Sequence, residues 1–267
     1  MVIMTQISTN IKTFSINAEN DIIKKYLIQH GVSSINLELI PEEKQGLWNF
    51  QIQIDGSDGN FLYWGSVNNA DLLTNFESYL SRLGKNKKAD ITSISNLTIR
   101  IAKDVAKHFN TEFAWIETKT FLANDTFIVP RWHTDNKFFM PYTVYKFVWA
   151  AKGPQTRFGM TEDQEKFKEL TVQEVNAGHG TEDNIRVRKE IDQIVDEIEI
   201  SGKENGALYR SGGKNPVVHS EPHMDEDRLF IAIVPGTKKE ISEWYERKKQ
   251  KDVLKKIQNR KWHYYAL

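Results

Sequence analysis

From Glu112 onward the chain is broken into short runs of β type, at residues 113–121, 142–150, 206–209, 217–218 and 229–234, separated by glycine, proline and polar turn residues. Short strands spaced in this way stack as two sheets, so this half reads as a β-sandwich or jelly roll. The first 112 residues read differently. Residues 20–29 place Ile22, Ile23, Tyr26 and Leu27 on one helical face. Residues 71–83 carry Leu72, Leu73, Phe76, Leu80 and Leu83 at helical spacing, and 95–109 do the same with Leu97, Ile101, Val105 and Phe109. Residues 34–39 and 48–54 alternate like strands, and the turn-rich stretch from Asp55 to Asn60, followed by apolar 61–64, predicts a hairpin. The expected architecture is α+β in a single domain. Residues 1–112 form a helical and mixed part buttressing one sheet, 113–237 the jelly-roll core, and 238–267 a basic C-terminal helix. The long polar stretch at 161–199 reads as an insertion, either a substrate lid or a surface excursion.

Composition narrows the chemistry. With no cysteine in 267 residues, disulfides, thiolate metal sites and a cysteine nucleophile are excluded, and any metal ligand is His, Asp or Glu. Lys plus Arg and Asp plus Glu both number 36, so no global field draws the chain to nucleic acid or to an anionic membrane. Such a partner would need a local patch, for which the lysine-rich C-terminal segment is the candidate. Residues 1–10 lack a basic segment followed by an apolar run, and no stretch approaches the roughly 20 apolar residues of a membrane span. The expectation is a cytoplasmic protein. A Walker loop, Gly-x-Gly-x-x-Gly, Gly-x-Ser-x-Gly and His-Glu-x-x-His are all absent.

The sharpest constellation is Arg131-Trp132-His133-Thr134-Asp135. Two residues apart in an extended chain, His133 and Asp135 project from one face and can grip one metal ion. The tripeptide alone proves little, because His219-Ser220-Glu221 and His223-Met224-Asp225 repeat it. Order and context carry the weight. After His133 come a β run and the turn Lys152-Gly153-Pro154-Gln155-Thr156-Arg157-Phe158; far downstream, Val217-Val218-His219 is followed nine residues later by Arg228, which opens the run at 229–234.

In this order the segment from Phe121 to Gly236 resembles the iron(II)- and 2-oxoglutarate-dependent dioxygenase superfamily, whose pattern is His-x-Asp, a distant His, and a basic residue about ten positions further on. The resemblance implies a double-stranded β-helix, the cupin-like jelly roll, with iron held by His133, Asp135 and His219. It further implies that Arg228 binds the distal carboxylate of 2-oxoglutarate and that Thr156 adds a hydrogen bond to this cosubstrate. The implied reaction consumes dioxygen, converts 2-oxoglutarate to succinate and hydroxylates or otherwise oxidises a substrate: a small molecule, a protein side chain or a nucleobase.

Elementary chemistry agrees. Two imidazoles and one carboxylate leave open the iron positions that a chelating 2-oxo acid and dioxygen require. The far carboxylate then needs a cation, and arginine supplies a planar, permanently charged, two-pronged donor. The chain departs from common members in its long insertion and in Glu221-Pro222-His223, which makes His223 a second candidate for the distal ligand. Trp132, Phe138, Phe139 and Tyr145 are candidate pocket walls or jelly-roll core. Two rival readings stand: a cupin-like metalloenzyme that does not use 2-oxoglutarate, and a non-catalytic jelly-roll binding module.

Overall fold

Ten strands and a set of helices were located in a computed structural model that describes residues 11–53, 60–124, 127–135 and 144–250, less 199, 201, 203 and 214. The N-terminal part runs β1 (Thr13–Ser15), α1 (Asn20–His30), β2 (Val32–Asn36), α2 (Pro41–Asn49), β3 (Asn60–Ser66), α3 (Ala70–Ser81) and α4 (Lys88–His108). It continues through β4 (Phe113–Phe121), β5 (Tyr145–Lys152) and β6 (Arg157–Met160) into two helices, α5 (Gln164–Asn176) and α6 (Glu182–Asp192). Strands β7 (Asp196–Ile198), β8 (Asn205–Arg210), β9 (Val218–Ser220) and β10 (Arg228–Pro235) follow, and residues 238–250 are helical.

The larger sheet has the order β1-β2-β8-β5-β10-β4-β3 and the smaller β7-β6-β9. All pairings are antiparallel except that of β1 with β2. Alternation divides each strand of the larger sheet between two cores. On one face Ile116, Phe147, Trp149, Ile231 and Ile233 pack against Leu97, Ile101 and Val105 of α4. On the other, Val148, Ala207, Tyr209 and Ala232 meet Phe158 of β6 and Ile198 of β7, closing the space between the sheets. The fold is thus mixed, with helices on one face of a large, mainly antiparallel sheet and a small sheet on the other.

The N-terminal part does more than buttress, because β1, β2 and β3 extend the larger sheet at both ends. The expected strand at 48–54 is not formed. Pro41 opens α2, and Glu43 Oε2 accepts from the backbone N–H of Ile40, so Trp48 lies on a helix and is 84% exposed. The alternation survives just beyond it, with Phe50 and Ile52 buried, but those residues pair with a loop through Gln53 N–H to Leu83 O at 2.7 Å rather than with a strand. Most of the predicted hairpin turn, 54–59, lies outside the described residues, and β3 pairs with β4 instead.

The polar stretch at 161–199 is an α5–α6 hairpin followed by β7. Asp163 and Thr181 cap the two helices, accepting from the backbone N–H groups of Lys166 and Asn184, and Gly178 and Gly180 adopt positive φ at the tip between them. Phe167, Leu170, Val187 and Ile191 pack on Trp132 and Val218, so the hairpin covers the outer face of the smaller sheet. Among the described residues none of 161–198 lines the large cavity. Of the predicted C-terminal helix, residues 238–250 are described, with Ile241 and Trp244 packed on Trp115 and Val234. Among the described residues no helix is long and apolar enough to cross a membrane.

Candidate metal and cosubstrate site

The site begins with a register. The segment containing His133 runs antiparallel to β9, with His133 N–H donating to His219 O at 2.9 Å and His219 N–H to His133 O at 3.0 Å. Directly opposed residues in an antiparallel pair share a face, so the two imidazoles stand side by side with centroids 4.4 Å apart. Trp132, one residue away, points to the opposite face and is buried under the α5–α6 hairpin, where its Nε1–H donates to Asp192 Oδ1 at 2.7 Å. Asp135 returns to the inner face, with Oδ2 3.6 Å from His219 Nε2. One donor atom from each of His133, Asp135 and His219 lies within 4.8 Å of the others.

Both rings are oriented for ligation. His133 Nδ1 lies 2.8 Å from Arg131 O and His219 Nδ1 3.2 Å from Val217 O. A carbonyl only accepts, so each Nδ1 carries the proton and each Nε2 presents its lone pair. Burial, reinforced by His133 and Lys146 against the pull of Asp135, lowers the His219 pKa to about 4, which keeps the ring neutral at physiological pH. Burial alone would raise the pKa of Asp135, but Lys146 and the two histidines outweigh it and hold the carboxyl well below the usual range. A neutral His219 imidazole beside an ionised carboxylate suits a divalent cation, and with the His133 imidazole the set of two ring nitrogens and one carboxylate oxygen fits iron(II).

Three residues absent from the sequence reading fix Asp135. Lys146 Nζ, Ser211 Oγ and Tyr209 OH donate to its Oδ2 at 2.9, 3.0 and 3.3 Å. Lys146 and Tyr209 are cross-strand partners in the β5–β8 ladder and therefore emerge together on the inner face. The only sequence signal for either was a lysine inside an otherwise apolar run.

Arg228 enters from the first position of β10, opposite Phe121 of β4. It is 2% exposed, with Nε–H donating to Pro154 O and an Nη2–H to Thr156 Oγ1, both at 2.9 Å, and with its guanidinium 4.5 Å from the Phe230 ring. The turn that supplies these acceptors depends on Gly153, at φ +79°, because a Cβ there would lie 2.6 Å from Asp227 O. Burial lowers the Arg228 pKa to about 10, countered by Glu221, so the group remains a cation at neutral pH.

His133, Asp135, His219, Arg228 and Thr156 all line one cavity of about 700 Å³. His223 is exposed and does not join the cluster. Neither Trp132 nor Tyr145 lines the cavity; Tyr145 stacks on Phe109, and Phe138 and Phe139 lie outside the described residues. Glu221 lines it and is paired with Arg131 at 2.9 Å.

No protein-family model and no curated protein matches the chain. Among solved structures it is similar to a prolyl hydroxylase from Trichoplax adhaerens, solved with a hypoxia inducible factor oxygen degradation domain peptide fragment. The identity is 8%, over 84% of this chain and 91% of that one, with a TM-score of 0.38. It is also similar to IDO from Bacillus thuringiensis at 9% identity, over 80% of this chain and 93% of that one, with a TM-score of 0.40. At these values the chemistry has to be read from the side chains of the site itself.

Proposed function

We propose that this chain is an iron(II)- and 2-oxoglutarate-dependent oxygenase built on a double-stranded β-helix. The reading is carried by one observation: the converging donors of His133, Asp135 and His219 share a cavity with the buried guanidinium of Arg228. The strand order supports the fold. In chain order β4, the His133 segment, β5, β6, β7, β8, β9 and β10 pass between the larger and smaller sheets as the turns of a jelly roll do.

In this reading His133, Asp135 and His219 hold the metal through two Nε2 atoms and a carboxylate oxygen. Iron held there supplies the redox chemistry that couples dioxygen and decarboxylation of 2-oxoglutarate to oxidation of a substrate. The other roles belong to the chain's own groups. Arg228 offers its remaining N–H groups to the distal carboxylate of 2-oxoglutarate. Thr156 acts one step removed, accepting from Arg228 and so setting the plane of the fork. Lys146 and Ser211 keep Asp135 ionised and oriented. The apolar walls at Phe121, Val148 and Phe230 limit water around the cosubstrate.

The test is anaerobic titration of the metal-free protein with iron(II) and then 2-oxoglutarate, following the weak visible band of the chelate. The band is expected in the wild type and absent in His133→Ala, with 2-oxoglutarate binding weakened on the order of a hundredfold in Arg228→Ala. Stoichiometric iron uptake without the band would favour a metalloenzyme that does not use 2-oxoglutarate. No metal uptake would leave a binding module.

A further inference from the structure

We propose that the substrate is a small molecule bearing a carboxylate or phosphate, received at the cavity mouth by Lys119, Arg131 and Arg247. What happens to that substrate rests on the oxygenase reading; its binding does not. The chain as a whole is neutral, with 36 cations and 36 acids, yet among the described residues the cavity is lined by five cations (Lys119, Arg131, Lys146, Arg228 and Arg247) against two acids, Asp135 and Glu221. Both acids are engaged, Asp135 by Lys146 and Glu221 by Arg131, each at 2.9 Å. Iron(II) and 2-oxoglutarate carry opposite charges that cancel, the distal carboxylate that meets Arg228 included. The positive excess therefore stands where the substrate enters.

Three separate elements bring it there. Lys119 is paired across β4 and β10 with Phe230, one step along the inner face from the Phe121–Arg228 pair. Arg131 is two residues before His133, on the same face. Arg247 reaches in from the C-terminal helix that Trp244 anchors on Trp115 and Val234. Lys119 forms an ion pair with Glu117 at 3.2 Å and Arg247 forms one with Glu243 at 3.8 Å, and neither acid is among the described residues that line the cavity.

The side chains of Lys119, Arg131 and Arg247 are 36%, 34% and 34% exposed, so these pairs are screened and readily exchanged for a ligand anion. Arg131 also has a buried Nε–H with no partner, a donor that a planar anion can complete. A cavity of about 700 Å³ suits a small molecule beside the cosubstrate, whereas a nucleic acid strand needs a basic track continuing outside it.

The probes are inorganic phosphate and acetate, titrated calorimetrically into manganese-loaded protein saturated with 2-oxoglutarate under anaerobic conditions. Binding of one anion per chain is expected, weakened on the order of tenfold in the Lys119→Gln/Arg247→Gln double variant and unchanged in Lys168→Gln, an exposed control on α5. The tighter of the two anions assigns the headgroup. Equal affinity in the double variant, no binding of either anion, or displacement of phosphate by a short oligothymidylate would overturn the proposal. Absence of 2-oxoglutarate binding would count against the oxygenase reading alone, since the same anion titration with the metal-free protein still tests the three cations.

Discussion

Lys146 is a half-buried cation at the second position of β5, and it is tolerated there because Asp135 lies 2.9 Å away. Burial pulls its pKa down, but Asp135 and then Tyr209 outweigh that effect and raise it, so the pair stays charged. Lys146→Met preserves the shape and removes the charge. Metal affinity is then expected to fall roughly 10- to 100-fold, measured by competition with a chromophoric chelator. A second residue makes a prediction about pH. His108 is buried with Nε2 2.6 Å from Ile16 O, and burial lowers its pKa against the opposing effects of that carbonyl and of Asp104. The unfolded chain therefore takes up this proton first as pH falls below about 6.5, and stability declines on going from neutral pH to pH 5.5. The difference between urea midpoints at the two pH values should shrink in His108→Gln, with the remainder left to His219, whose pKa is lowered as well. At this scale the sequence showed what depends on spacing along the chain: His133 with Asp135, and His219 with Arg228. It could not show Lys146, Tyr209 and Ser211, whose meeting at Asp135 depends on which strands lie side by side.

Among the elements, the α5–α6 hairpin changes most between sequence and structure. Its helices bury four apolar residues, Phe167, Leu170, Val187 and Ile191, and leave Val172, Val175 and Ile185 exposed among many charges, so the stretch reads as polar surface. Packed, it becomes a brace behind the two strands that carry His133 and His219. Trp132 is the joint, apolar against the helices and hydrogen-bonded to Asp192. Trp132→Ala is expected to cost about 3–5 kcal/mol by urea denaturation. Iron affinity should fall in the same variant, because the strand that aims His133 loses its backing. Helix α4 behaves in the opposite way. Its four-residue apolar period announced it, and only its first seven residues, Lys88–Ile94, about two turns, lay outside the predicted 95–109.

For the whole molecule, the strand-rich character of residues 113–237 was foreshadowed by the spacing of their short apolar runs, while the contribution of β1, β2 and β3 to the larger sheet was not. The strand character of residues 34–39 and 61–64 was legible, but not their place in the sheet, since the partner of β2 is β8, more than a hundred residues away, and β3 pairs with β4. From the C-terminal helix, Arg247 lines the cavity. Trp244→Ala, which empties the contact with Trp115 and Val234, is expected to lower stability by about 3–5 kcal/mol. It should also loosen Arg247, so anion affinity in the calorimetric titration falls while 2-oxoglutarate affinity holds.

The tip of the α5–α6 hairpin has a practical use. A side chain at Gly180 would meet nothing within 4 Å, and the tip stands on the outer side of the brace rather than at the cavity. Since the native chain has no cysteine, a single cysteine placed at the neighbouring exposed His179 would take one fluorophore at one known place. Such a reporter could follow the docking of the hairpin without interfering with the chemistry behind it.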